Sequence, residues 1–301
     1  MPTQTFAVFT PAVWSPKINF FLKAKLVAAR AFSDYSDEVL EGGDTINIPH
    51  IGDGFSSTAI TVTTGAITGA SISDTKSALL VDSWQGNKLI ITDFQLAQVK
   101  KSYRLKEEYM MAQGYALAKP FDRVLLRLGH NSAITTVGNS HTALLATTIE
   151  KAMSILSSRS VPLNESSFIM HPKTYYKRIL GVQKYYDASQ FGKPSLPTGV
   201  IDYLYGVPVI VTEQVTTTSN AALAGQRAGN GYQNLLAHKS AIAYAFGNIP
   251  GQNMFSGVRL TERPSSGSTG ANLATEVIAD VAYGELLLNS SRIIRIIDKE
   301  T

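Results

Sequence analysis

Cysteine is absent from all 301 residues, which removes a disulfide framework and thiolate metal ligation together. The composition fits a reducing compartment. No apolar run approaches the roughly 20 residues that a helix needs to cross a bilayer. No basic region precedes the first apolar residues, and Pro11, Pro16, Lys23 and Lys25 break up the N-terminal stretch, so no signal peptide is expected. Charge is sparse: 17% Asp, Glu, Lys and Arg, with a net charge of +4, too mild to argue for nucleic acid by itself. Apolar residues are not in short supply at 44%, and the length suits one large or two medium ordered domains.

Recognisable site chemistry is missing as well. A phosphate-binding loop ends in Gly-Lys-Ser or Gly-Lys-Thr, and the sole Gly-Lys here, Gly192-Lys193, runs into Pro194. Two near misses to a dinucleotide fingerprint, Gly52-Asp53-Gly54 and Gly229-Asn230-Gly231, have Ser57 and Asn234 where the third glycine belongs, and read as turns. There is no Gly-x-Ser-x-Gly elbow, and His50, His130, His141, His171 and His238 show no metal-ligand spacing. Each histidine is expected to be exposed or structurally satisfied. Glu107 and Glu108 are neighbours that point different ways around a helix, not an acid-base pair. No catalytic residue, cofactor or metal is expected.

The placement of charge is more telling than its amount. Met1 to Ser33 carries Lys17, Lys23, Lys25 and Arg30 and no acidic residue. Ser15 can cap a helix with Pro16 in its first position, and Ile18, Phe21, Leu22, Leu26 and Ala29 share a face. Two uses fit: a core-docked amphipathic helix with solvated lysines, or an arm reaching a neighbour or nucleic acid. Thr45 to Pro49, Leu79 to Val81 and Lys88 to Thr92 then read as strands. Between the first two, Gly54 to Ser73 has no charged residue, with Ile60, Val62, Ile67 and Ile72 set among Thr, Ser, Ala and Gly. Exposed strand edges are normally blunted by charge or proline. This span is therefore either a hairpin packed on its own domain or a β-arm covered by another subunit.

A long helix is expected from Thr92 to Gly129, opened by Thr92 and Gln95 at capping-box spacing. Tyr103, Met110, Leu117 and Val124 fall seven apart, with Phe121 and Leu128 between, while Lys100, Lys101, Arg104, Lys106, Glu107 and Glu108 are polar. Pro120 predicts a kink or short break. At about 1.5 Å per residue the segment reaches about 50 Å, longer than a compact core needs. Further on, Ala143 to Ser158 reads as a helix with Leu144, Ile149, Ala152, Ile155 and Leu156 inward, Ser167 to Met170 as a strand, and Thr174 to Leu180 as a helical turn or two. Ile201 to Val215 reads as a short helix, a turn at Gly206 and a strand from Val207 to Thr212. Thr216 to Gly231 reads as a loop, and Leu235 to Ala245 as a strand broken near Lys239. Strands at Val258 to Thr261, Val277 to Tyr283 and Arg292 to Ile297 close the chain. No internal repeat is present.

Taken in order, these pieces resemble the major capsid protein of tailed bacteriophages, the Hong Kong 97-type fold. The segments that carry the resemblance are GGDTINIPHIG, LIITD leading to GYALAKPFDRVLLRLG, SSRSVPLNESSFIMHPKTYYKRIL, GVIDYLYGVPVIVTEQV, LLAHKSAIAYA and YGELLLNSSRIIRII. The resemblance implies an α+β chain with residues 1–40 as N-arm, 41–91 as extended β-loop, 92–129 and 257–301 as a peripheral domain with a long spine helix, and 130–256 as an axial domain. It implies an icosahedral shell of hexamers and pentamers of this chain, in a virion assembled in the host cytoplasm. Packaged double-stranded DNA would be contacted without regard to sequence, and a portal and separate scaffolding or decoration proteins would be partners, with no membrane. Ile60, Val62, Ile67 and Ile72 become inter-subunit β-arm candidates, and Lys17, Lys23, Lys25, Arg30, Lys100, Lys101 and Arg104 become DNA-facing or inter-subunit candidates. The chain opens almost directly on the basic arm, so no scaffolding segment is expected to be cut from it.

Some members of that family lock the shell with an isopeptide bond between a loop lysine and a peripheral asparagine. Lys76, Lys88 and Asn289 supply the residue types, but the bond needs a desolvated, deprotonated amine, a carboxylate to take its proton and near-contact geometry. Non-covalent shells are expected. Two rival readings are an encapsulin-like nanocompartment with protein cargo, which shares the fold, and an α+β enzyme without a recognisable motif.

Overall fold

The computed structural model describes residues 27–39, 45–50, 74–92, 105–180, 203–220, 229–247, 258–264 and 274–300. In chain order, α1 (Ala28–Ala31), β1 (Ser33–Asp34), α2 (Ser36–Val39) and β2 (Thr45–His50) lead to β3 (Thr75–Leu80), β4 (Ser83–Thr92) and the long α3 (Leu105–Leu128). Next come β5 (Thr135–Gly138), α4 (Ala146–Ser158), β6 (Ser166–Met170) and α5 (Pro172–Thr174), which widens into a π-turn over Tyr175–Ile179. The remainder is strand: β7 (Tyr203–Leu204), β8 (Val207–Val211), β9 (Thr217–Asn220), β10 (Gly229–His238), β11 (Ile242–Phe246), β12 (Val258–Pro264), β13 (Ala274–Leu287) and β14 (Ile293–Lys299). The class is α+β, as expected.

Two large sheets divide these strands. In a five-stranded sheet, β4 takes one side of β13, while β12 and β11 share the other, and β1 adds to β11 in parallel. A seven-stranded sheet runs β5-β14-β10-β6-β8-β7, with β9 also on β10. Its central strands are apolar without alternation because both faces are covered. Phe168, Met170, Leu236, Ile294 and Ile296 pack toward Ile149, Ala152 and Leu156 of α4. Ile169, Leu235, Ala237 and Ile293 turn the other way into a core shared with Leu117, Phe121, Leu125 and Leu126 of α3 and with Ala279, Val281 and Tyr283 of β13. That second core joins the sheets. Asp298, buried at the end of β14, accepts the Leu144 N–H at 2.8 Å and the Thr174 hydroxyl at 3.0 Å, with Arg178 at 3.4 Å, and so ties three segments to one strand.

The sheets do not follow the expected division at residues 256 and 257. A 3₁₀ turn at Lys239–Ala241 carries the chain from β10 in the larger sheet to β11 in the smaller, and a second at Ser290–Arg292 carries it back from β13 to β14. The break near Lys239 is where it was expected; its consequence, a change of sheet, has no local signal.

Four local expectations are corrected. Thr92 is not a helix cap: it ends β4 and pairs with Ala274, because β13 extends the ladder through all ten residues of β4. Tyr203 and Leu204 are not helical but form a hairpin with Val207 and Pro208, turned by Tyr205 and Gly206, both at positive φ. Thr217–Asn220 is a strand, not loop, since β10 begins at Gly229 and offers it a partner. Along α3 the buried line is Leu117, Phe121, Leu125 and Leu126, four and not seven residues apart, as a straight helix on a sheet requires. Pro120 does not interrupt it: the helix is continuous, and the Ala116 carbonyl deprived of its donor belongs to an exposed residue.

Candidate assembly surfaces

β2 and β3 pair along their whole length from Thr45↔Leu80 to His50↔Thr75 and form the base of the loop that contains Gly54 to Ser73. Alternation decides how this base sits. Ile46, Ile48 and Leu79 are buried with Val39, Ala243 and Ala245, while Thr45, Asn47, Lys76 and Ala78 are exposed. Gly284 of β13 passes so close that any Cβ there would overlap the Leu80 carbonyl oxygen. The base is thus fixed to the smaller sheet. The N-terminal side is fixed to α3: the Val27 and Ala28 N–H groups donate to Asp122 Oδ1 at 2.9 and 2.6 Å, and Ala28, Ala31 and Phe32 enter the core. Burial raises the Asp122 carboxyl above its ordinary value, although these two donors pull the other way.

The face of the smaller sheet turned from α3 carries a charged ladder. Directly paired residues share a face, so Trp84, Gly86, Lys88 and Ile90 of β4 stand beside Ala282, Asp280, Ile278 and Glu276 of β13. Glu276 and Asp280 are 2% and 4% exposed. Lys88 Nζ lies 2.8 Å from Glu276. Asp280 accepts from Trp84 Nε1 at 3.0 Å and from Arg259 Nε and a terminal guanidinium nitrogen at 3.0 and 2.7 Å. Desolvation would raise the Asp280 carboxyl, but the bonds from Arg259 and Trp84 outweigh it and the net displacement is downward. Trp84 nevertheless remains 70% exposed, with Ile90 also exposed. On the opposite face Asn87 donates to the Gln113 carbonyl and Gln113 to the Val277 carbonyl, which clamps α3 to the sheet. The part of α3 before Leu117 buries little, and Tyr109 and Met111 are exposed.

Where α3 ends, it borders a cleft of about 810 Å³. Arg123, Arg127, Lys173, Glu213 and Glu300 line it with His130 and His171. His130 is buried and its titration is lowered to about 4, by desolvation first and by Arg295 and Arg127 next, against a raising contribution from the Gln233 carbonyl. His171 stacks on Tyr232 with ring centroids 3.9 Å apart, and its titration too is lowered, chiefly by desolvation. Among the described residues no group of three His, Asp or Glu side chains converges as metal ligands would.

Of the residues singled out in the sequence, Arg30 is exposed in α1, between the core residues Ala28 and Ala31. Lys17, Lys23, Lys25, Lys100, Lys101 and Arg104, and Ile60, Val62, Ile67 and Ile72, lie outside the described residues. Lys88 is not at the base of the extended loop; it is ion-paired within the smaller sheet. The Asn289 side-chain oxygen accepts the Ser291 N–H at 2.9 Å. The charged ladder and the cationic cleft were not anticipated. Alternation in SWQGNKLIIT and the four-residue spacing of Arg123 and Arg127 are the signals that mark them.

Two sheets joined by a long helix, a hairpin arm fixed to the smaller sheet and an N-terminal segment clipped to the helix make up the Hong Kong 97-type capsid fold. The chain is similar to a structure of Mycobacterium phage Che8, at 18% identity, TM-score 0.72, over 97% of this chain and 98% of that one. It is likewise similar to the capsid of cyanophage P-SCSP1u, at 14% identity, TM-score 0.75, over 97% and 93%, and to the mature capsid of bacteriophage PhiM1, at 11% identity, TM-score 0.70, over 95% and 91%. No protein-family model and no curated protein matches the sequence.

Proposed function

We propose that this chain is the major capsid protein of a tailed bacteriophage or a closely allied particle, a structural protein and not an enzyme. Its copies assemble as hexamers and pentamers into an icosahedral shell around double-stranded DNA, in a virion built in the host cytoplasm. The observation that carries this reading is full-length agreement of fold: phage capsid chains cover 95% or more of this chain and are themselves covered over 91% or more. The proposed peripheral domain is built on α3 and the five-stranded sheet, and the proposed axial domain on the seven-stranded sheet. Residues 1–40 are the proposed N-arm and 41–91 the extended loop, whose uncharged span and candidates Ile60, Val62, Ile67 and Ile72 lie across a neighbouring subunit. Basic groups of the N-arm and of the start of the helix, Lys17, Lys23, Lys25, Arg30, Lys100, Lys101 and Arg104, are the proposed contacts to phosphate or to neighbours. A portal and separate scaffolding or decoration proteins complete the partner set.

Electron microscopy and sedimentation of the purified chain test the reading: closed shells are expected, and a stable 32.5 kDa monomer under every assembly condition would overturn it. The nanocompartment alternative predicts a second band of cargo protein and no excess absorbance from nucleic acid. Deletion of Gly54 to Ser73 should leave a cooperatively folding protein that closes no shells, because the base strands β2 and β3 already have their buried contacts without it. Unfolding of that variant would show the span to be core.

A further inference from the structure

The cleft at the end of α3 has two sets of unmet partners. Arg123 and Arg127 stand one helical turn apart on its wall, both exposed, and neither has a carboxylate within ion-pair distance among the described residues. Lys173, the third cation of the lining, lies over the Tyr232 ring at 5.7 Å. Paired guanidinium groups fit a carboxylate or phosphate oxygen pair. Set against them, the side-chain oxygens of Gln214 and Gln233 are buried in the same lining without a hydrogen-bond donor. A buried acceptor left unmet is costly, so the complementary occupant brings N–H or O–H groups as well as negative charge.

An extended peptide with carboxylates has both, its backbone supplying the donors. A nucleic-acid backbone offers phosphate oxygens alone and would meet Glu213 at the rim and Glu300, whose carboxylate accepts from the Tyr232 hydroxyl at 3.1 Å. The chain itself contains such a peptide. Between Arg30 and Lys76 there is no lysine or arginine, and Asp34, Asp37, Glu38, Glu41 and Asp44 fall within eleven residues. Asp34, Asp37 and Glu38 are exposed around α2.

We infer that the cleft receives the acidic segment Asp34 to Asp44 of a second copy of this chain, with Arg123 and Arg127 as the charge-reading pair. The inference rests on the shell reading above and gives that shell a head-to-tail contact, in which two different patches of one surface meet and the contact repeats around a ring. Such contacts set register and partner choice more than bulk affinity.

Charge exchange in the full chain tests it. Arg123→Glu with Arg127→Glu, and separately Asp37→Arg with Glu38→Arg, should each leave a protein of unchanged circular dichroism whose yield of shells falls at least tenfold. Combining all four substitutions in one chain should restore shells to within about threefold of the parent. Failure of the combined variant to recover, or parental assembly by the single-sided variants, overturns the inference while leaving the shell reading intact. If the arginine variant assembles normally but packs less DNA, the cleft reads phosphate and the inference is equally overturned. A parent chain that forms no shells fails the earlier reading instead, and is recognised before any variant is made.

Discussion

His130 sits where α3 runs out, and both of its ring nitrogens are engaged. The Gln233 backbone carbonyl can only accept, so Nε2 carries the proton at 3.3 Å, and Nδ1 is left to accept from the Thr216 hydroxyl at 2.8 Å. The fold therefore holds a neutral imidazole and disfavours the charged one. With a folded titration near 4 against 6.5 for the ordinary group, the unfolded chain binds more protons between those values. The contribution is intact above 6.5 and is lost as pH falls toward 4, by roughly 3 kcal/mol at most. Thermal melts from pH 7 to pH 4.5 should show this loss, and His130→Gln should flatten that part of the profile; an unchanged slope in the variant counts against the assignment. Asp122 acts in the opposite region of the same helix. Asp122→Ala strands two buried N–H groups and should cost roughly 2–4 kcal/mol, with Asp122→Asn milder because an acceptor oxygen remains. Amide exchange at Val27 and Ala28 is the direct readout. Neither role was legible in the sequence, because the partners of Asp122 lie 94 and 95 residues away.

At the scale of elements, β4 shows where sequence reading succeeds and where it stops. Its second half, apolar and β-branched, is recognisable as strand; its first half, SWQGN, has polar residues and a glycine and becomes strand through pairing with β13. The long helix was legible from its apolar period, and its buried face was misjudged by following a seven-residue line that a straight helix does not keep. Alternation told which strands exist but not which sheet they join, as the passage from β10 to β11 demonstrates. Lys88→Ala should cost roughly 1–3 kcal/mol, less than breaking a fully buried pair because the amine is partly in water, and more than a surface change because it strands Glu276. Chemical denaturation measures it, with Glu276→Gln in the same background expected to recover most of the loss. The Asp280 cluster has the usual carboxylate sign: its stabilisation is present above the ordinary value of 3.8 and fades as pH falls below it. Engagement of Lys88 by Glu276 and of Asn289 by Ser291 leaves neither group poised for amide formation. Boiled particles should therefore release one 32.5 kDa band, and a ladder removed by Lys76→Ala would reverse that expectation.

For the whole molecule, the two crossings between the sheets are stitched to each other. The Leu288 and Asn289 N–H groups both donate to the Ala241 carbonyl, at 2.9 and 3.2 Å, and Arg292 donates to the Ser240 hydroxyl at 2.7 Å. β13 is the centre of one sheet, and β14, the last strand of all, lies between β5 and β10 of the other. Both sheets thus wait for the final thirty or so residues of the chain to be made. A ribosome still translating holds a polypeptide in which neither lobe can close, since long-range strand pairing has to follow the emergence of both partners. Nascent chains arrested after Leu287 should remain open to protease throughout β5, β6 and β10, and release of β14 should protect all three at once. Synthesis itself then acts as the timer: no copy offers neighbours a finished edge until it has left the ribosome, so the pool from which particles grow contains only completed subunits.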